Sequence, residues 1–303
     1  MKNTALNQLD SRAVRRSFDR AAGEYDRHAV LQHEVEQRLM ERLEYLRSEP
    51  EWILDVGCGT GIASHEMQTR YPGASVVGLD WSKRMLECLR ARGESDESII
   101  TGRMKTLCAN MQSIPLPARS MDVVFSSLAM QWSPDAGQLF TELRRVLKPG
   151  GMLLFSTFGP DTLHELRSAW SRADDRPHVN LFADMHDIGD QVVAAGFVEP
   201  VFDVDIITLE YPDVLSLMRD LKAIGAHNAA SDRSPGLTGK KKFSRVLEAY
   251  EPYRRDDRYP ATYEVVYGVA FGPKEGQPFR SDEGDVVTFS VDAMRSCNRG
   301  ESS

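Results

Sequence analysis

The sequence predicts an α/β protein built on a mostly parallel sheet, and three observations carry that expectation. From residue 52 to residue 157, short apolar strands alternate with amphipathic helical stretches, the pattern of βαβ units. A glycine-rich turn, Gly57-Cys58-Gly59-Thr60-Gly61, joins the first of those strands to the first of those helices. Lys148-Pro149-Gly150-Gly151 then stops a helix and makes the turn into the next strand.

The elements follow in order. Val14, Phe18, Ala21 and Tyr25 recur at helical spacing on one face of an N-terminal helix, and Leu31, Val35, Leu39 and Leu43 form a second stripe. Residues 1–50 therefore read as cap helices laid against something else. The first strand, 52–56, leads through the glycines into a helix ending at Arg70. The second, 74–79, ends at Asp80, and Ser82 suits the N-cap of a helix over 83–92. A strand over 121–128, a helix over 136–147 and a strand over 151–157 continue the alternation. Helices over 161–173 and 187–195 flank the polar loop 174–180, and a strand over 198–209 follows. Pro212 opens a helix with Val214, Leu217, Met218, Leu221 and Ile224 on its apolar face; another surrounds 243–250, and 262–271 is the last core strand. Beyond Pro273 the composition predicts a mobile tail, in which Val286-Val287-Thr288-Phe289 suits a short strand. The expected division is 1–50 cap helices, 51–211 core, 212–258 helical lid insertion on the substrate side, 259–272 final core strand and 273–303 tail.

Composition bounds the function. With 41% hydrophobic residues the chain has enough apolar mass for a large core. A net charge of −8 argues against a broad nucleic-acid footprint while leaving room for a local basic patch. Cys58, Cys88, Cys108 and Cys297 lie far apart with no C-x-x-C pair, so free thiols in a reducing cytoplasm are expected, without disulfides or zinc. No signal peptide and no apolar run of membrane-spanning length is visible, so a membrane is not expected as a partner. The seven histidines are dispersed, so no metal is expected, and no nucleophile elbow is present. A cofactor is expected to supply the chemistry.

The sharpest motif is Asp55-Val56-Gly57-Cys58-Gly59-Thr60-Gly61 between strand and helix. Glycines there allow close approach of backbone to a ligand. The dinucleotide fingerprint G-x-G-x-x-G would need glycine at 62, where Ile62 stands. D-x-G-x-G-x-G instead resembles the loop of enzymes that bind S-adenosylmethionine. Asp80, at the end of the second strand, suits the ribose hydroxyls, and Trp81 offers adenine a flat apolar face. Asn110 and Met111 follow a third strand, where an adenine contact is usual.

Further segments make the resemblance specific. Phe18-Asp19-Arg20-Ala21-Ala22 with Tyr25 and His28, Ser127-Leu128-Ala129-Met130-Gln131-Trp132, Asp175-Arg176-Pro177-His178-Val179-Asn180, Leu221-Lys222-Ala223-Ile224-Gly225-Ala226, and Arg258-Tyr259-Pro260 with Thr262-Tyr263 together resemble the malonyl-[acyl-carrier protein] O-methyltransferase family of biotin synthesis. The similarity spans roughly residues 11 to 271.

That resemblance implies a class I, Rossmann-like methyltransferase: a seven-stranded, mostly parallel sheet with helices on both faces, N-terminal helices and a helical lid. It implies methyl transfer from S-adenosylmethionine to the free carboxylate of a malonyl group on acyl carrier protein or coenzyme A. The cofactor residues it implies are Tyr25, His28, Asp55, Gly57, Gly59, Gly61, Asp80, Trp81, Asn110, Met111 and Ser127. On the substrate side it implies Trp132, Arg176, His178, Lys222 and His227, with Tyr25 and Lys222 acting in catalysis. Lys222, Arg176 and His178 are the candidates for binding the malonyl carboxylate. Arg15, Arg16, Arg20 and Lys240-Lys241-Lys242 are candidates for docking an acidic carrier. The alternative of the same chemistry is a small-molecule methyltransferase acting on a quinone ring or a free acid. A non-catalytic S-adenosylmethionine-binding protein is the alternative from another class.

Overall fold

The computed structural model describes residues 10–95, 104–174, 176–226, 239–281 and 284–287. Seven strands form one sheet: β1 (Trp52–Val56), β2 (Ser75–Asp80), β3 (Met104–Cys108), β4 (Met121–Ser126), β5 (Leu147–Phe158), β6 (Val198–Tyr211) and β7 (Tyr259–Phe271). Their order is β3-β2-β1-β4-β5-β7-β6. All neighbours run parallel except β7, which is antiparallel to both β5 and β6. The sheet is thus mostly parallel, as the sequence predicts.

Helices cover both faces, which is why the central strands read as continuous apolar runs. Successive residues point to opposite sides. Ile53 and Leu154 join one core with Leu39, Met67, Phe125 and Tyr250, while Leu54 and Leu153 join the other with Leu79, Leu143, Phe155 and Val192. The helices are α1 (Ser11–Ala21), α2 (Tyr25–His28), α3 (Val30–Glu41), α4 (Ile62–Arg70), α5 (Lys83–Ser95), α6 (Ala136–Val146), α7 (His164–Ser171), α8 (Met185–Ala194), α9 (Val214–Ala223) and α10 (Lys240–Tyr250). No helix among the described residues is long and apolar enough to cross a membrane.

Three local differences from the sequence reading have physical causes. The helix drawn through Tyr25 breaks after Ala21, and Tyr25 starts α2, with a glycine at position 23 in the break. Lys148-Pro149-Gly150-Gly151 does not form a separate turn: Leu147 is already extended, and the four residues are a bulged entry into β5, with Gly150 at φ +72°. The pairing with β4 jumps from Met121↔Leu147 to Val123↔Met152, which absorbs the extra residues. In the tail, β8 (Pro278–Ser281) and β9 (Gly284–Val287) form an antiparallel hairpin, and the Phe279 ring packs on Gly196 after α8. Thr288 and Phe289 lie outside the described residues.

Where β5 meets β7, Phe155 lies across Gly268, and a Cβ at 268 would meet that ring at 2.4 Å. Phe155 is fully buried, so it has nowhere to retreat. Gly268→Ala should therefore destabilise the protein by about 1–3 kcal/mol, the usual cost of overpacking. Denaturant unfolding would measure this; unchanged stability would mean that the ring moves aside freely.

Candidate active site

The chain leaves β1 and crosses the end of β2. The Gly57 and Cys58 N–H groups both donate to the Leu79 carbonyl, at 2.7 and 3.0 Å. Gly57 has φ +72°, and any Cβ there would sit 2.2 Å from that of Ala129, so the turn requires glycine. Gly59 differs: a Cβ there would meet nothing within 4 Å. Its open side is space for a ligand against bare backbone.

Asp80 is fixed from both sides. Gly59 N–H donates to its Oδ2 at 3.0 Å and Ser82 N–H to its Oδ1 at 2.7 Å. Each oxygen keeps a lone pair, so the carboxylate can still accept two hydroxyls. Burial raises its pKa to about 6, while the backbone donors hold it down.

A cavity opens over this turn. Of the expected cofactor residues it is lined by Tyr25, Gly57, Gly59, Asp80, Trp81, Asn110, Met111 and Ser127, together with Trp132. Phe18 and Val14 of α1 close it from above. The Asn110 side-chain oxygen accepts from Gln112 N–H at 3.0 Å, which fixes the amide. This polar-edged slot, with a carboxylate beside an indole face and an open glycine backbone, fits S-adenosylmethionine.

His28, Asp55 and Gly61 lie outside that lining. Asp55 is buried behind the glycine turn, where it accepts from Ser64 Oγ–H of α4 at 2.5 Å; burial raises its pKa to about 7. It ties the end of β1 to α4. Gly61 faces Leu89 and starts α4 with φ +85°. His28 Nδ1 lies 3.0 Å from Asp220 Oδ1, joining α2 to α9.

A second and larger cavity, of 630 Å³, adjoins the first, and Trp132 lines both. Its walls are largely apolar, with Phe158, Leu166, Trp170, Phe182, Met218 and Tyr263. Lys222 and His178 line it. His178 is already engaged, stacked on Trp170 at 3.7 Å with its Nε2 3.3 Å from Asp174. Arg176 does not line the cavity; it is exposed, and its N–H donates to Asp174. His227 lies outside the described residues.

Sequence reading missed the carboxylates that latch the N-terminal helices over the cofactor cavity. Ser82 Oγ–H donates to Asp19 at 2.6 Å, and Thr60 Oγ–H donates to Asp26 at 2.6 Å. Arg92 also donates to Asp26. The available signal was an aspartate directly after each of Phe18 and Tyr25. Glu36 of α3 was missed as well: burial, then the nearby Asp55, raises its pKa to about 8. Among the described residues no group of three or more histidine, cysteine, aspartate or glutamate side chains is placed to hold a metal.

Comparison with known proteins agrees with this arrangement. Residues 54–155 match the family model described as a methyltransferase domain. A malonyl-[acyl-carrier protein] O-methyltransferase of Gallionella capsiferriformans is 50% identical over 88% of this chain and 92% of its own length. The chain belongs to the malonyl-[acyl-carrier protein] O-methyltransferase family. A second such methyltransferase, from Laribacter hongkongensis, is 47% identical over 92% of this chain and 96% of its own. Among solved structures, the YcgJ protein of Bacillus subtilis superposes with a TM-score of 0.58 at 12% identity, covering 78% of this chain and 99% of its own. A putative methyltransferase of Bacillus halodurans gives 0.57 at 18% identity, covering 79% and 99%. Both share the fold. The protein is therefore an S-adenosylmethionine-dependent O-methyltransferase of class I architecture.

The raised acids give the site a pH dependence with a definite sign. A cationic ligand favours ionised Asp80 and Asp55, so the complex holds fewer protons than the free protein, and affinity rises as pH increases. S-adenosylmethionine binding should strengthen between about pH 5.5 and 7.5, with proton release on binding. Asp80→Ala should weaken binding at pH 7.5 by about 10- to 100-fold, removing charged hydrogen-bond acceptance. Titration calorimetry in buffers of different ionisation enthalpy checks both; a folded variant with wild-type affinity would remove Asp80 from the site.

Proposed function

We propose that this protein methylates the free carboxylate of malonyl-[acyl-carrier protein], giving the methyl ester that enters biotin synthesis. One observation carries the reading: two cavities meet at Trp132, and the outer one is apolar with cationic side chains and no carboxylate in its lining. That outer space suits an anionic head on a long, flexible acyl-pantetheine arm, and its volume exceeds what malonate alone would fill.

The chemistry required of the protein is modest. Bound S-adenosylmethionine supplies an electrophilic methyl group on a positively charged sulfur. A carboxylic acid is ionised at pH 7, so no general base has to take a proton. What remains is to hold one carboxylate oxygen at the junction of the cavities and to exclude water from it. Tyr25, whose hydroxyl burial keeps fully protonated, closes the inner cavity. Trp132 forms the wall between the two, its ring edge-on to Phe18 at 5.4 Å. Lys222 is the carboxylate partner among the three cations that the sequence suggested. Its segment, with α10, serves as the lid over the arm.

The carrier is the proposed partner in a cytoplasmic setting, and no nucleic acid is involved. Exposed Arg16, Lys240 and Lys241 offer a local basic surface on a chain of net charge −8, whereas Lys242 is paired with Asp174 at 2.7 Å. Exposed charges of this kind act mainly on association rate and are screened by salt.

The test is methyl transfer from labelled S-adenosylmethionine to malonyl-carrier protein, acetyl-carrier protein, malonyl-CoA, free malonate and a quinone precursor. Malonyl thioesters should be esterified and the other acceptors should not. The rate on malonyl-carrier protein should fall more steeply between 50 mM and 500 mM salt than the rate on malonyl-CoA, salts chosen to span the usual screening range. Preferred methylation of free malonate or the quinone would overturn the reading.

A further inference from the structure

Of the α1 arginines that have no partner among the described residues, Arg12, Arg16 and Arg20, Arg20 is the one that lines the outer cavity. Arg15 lies 3.9 Å from Asp19, Arg27 pairs with Glu24 and Arg92 with Asp26. Arg20 has no hydrogen-bond or ion-pair partner among the described residues. It nevertheless lines the outer cavity, as does Lys222, and these are the two permanent cations in that lining.

Their elements touch. Gly225, directly after α9, packs so closely on α1 that a Cβ there would lie 3.2 Å from the Ser17 carbonyl carbon and 3.4 Å from the Phe18 ring. Lys222 sits three residues before that contact and Arg20 two residues after Phe18. The Phe18 ring in turn meets Trp132, the wall shared by both cavities. Arg20 and Lys222 therefore flank the junction from two sides, one on the cap and one on the lid.

We propose that Arg20 is a substrate-specificity residue, which with Lys222 clamps the malonyl carboxylate at the Trp132 junction. This rests on the malonyl reading above. A guanidinium N–H can donate to one carboxylate oxygen, leaving the other oxygen free to attack. Both side chains are exposed at the cavity wall and no carboxylate shares that lining, so a malonyl carboxylate gains cationic partners there that an acetyl thioester cannot use. The same charge logic favours turnover. The attacking oxygen forms a bond to the methyl carbon as the carbon–sulfur bond breaks, the sulfonium charge and the carboxylate charge cancel, and no proton moves. The ester is neutral, so the clamp loses its partner as the product forms.

The clamp differs from a carrier-docking role in what it touches. The probe is therefore a small thioester, malonyl-N-acetylcysteamine, which has neither carrier protein nor phosphate, used beside malonyl-carrier protein. Arg20→Met should lose at least about 30-fold in kcat/KM on both substrates, in line with truncating one partner of a charged pair. Arg20→Lys should recover part of that loss, and both variants should bind S-adenosylmethionine within about 2-fold of wild type by calorimetry, which also certifies the fold. Lys222→Met combined with Arg20→Met should be non-additive, since both hold one group. A loss on malonyl-carrier protein alone would make Arg20 a docking residue and overturn the proposal, as would wild-type rates on both substrates. If wild-type protein itself fails on both malonyl thioesters while methylating another acceptor, the malonyl reading fails first, separately from the clamp.

Discussion

The two backbone hydrogen bonds that hold Asp80, from Gly59 and from Ser82, are the constraint on which the site depends. They tie the turn after β1 to the turn after β2, so neither can shift without releasing the carboxylate. Both turns lie at the carboxyl ends of parallel strands, where an open α/β sheet leaves its crevice. Below the glycine turn, Asp55 is bonded to Ser64 and anchors the same loop to α4. Asp55 is held by a helix side chain, whereas Asp80 is held by the backbone of the two turns. Burial raises the pKa of both acids above the usual carboxylate range.

Above this floor the cap is fastened by short polar links. Asp19 takes the Ser82 hydroxyl and Asp26 takes Thr60 and Arg92, so α1 and α2 are bonded to the same two turns that form the cofactor cavity. Asp220 then joins α9 to that cap, accepting from Tyr211 Oη–H at 2.9 Å and facing His28. Each link is partly exposed and modest in strength. Together they join α1, α2 and α9 beside two adjoining cavities, and Trp132 lines both.

Much of this was legible in the sequence because it depended on neighbours along the chain. The spacing of Gly57, Gly59 and Gly61 and the place of Asp80 at a strand end are local features, and they mark the strand–turn–helix unit and part of the inner cavity's lining. What depends on distant contacts was not legible. Arg20 and Arg176 look alike in sequence and both are exposed, yet Arg20 lines the outer cavity and Arg176 does not. Asp55 reads as a ligand contact until its partner Ser64 is seen. The bulge at Lys148-Pro149-Gly150-Gly151 reads as a turn until its register against β4 is known.

The most direct measurement is a crystal structure with S-adenosylhomocysteine and a stable amide analogue of malonyl-pantetheine. The malonyl carboxylate should lie at Trp132, within hydrogen-bond distance (about 2.7–3.2 Å) of the Arg20 guanidinium, the Lys222 ammonium or both, with the pantetheine arm running along Phe158 and Trp170. A carboxylate turned toward solvent, or an arm that enters anywhere other than the outer cavity, would contradict the proposed arrangement.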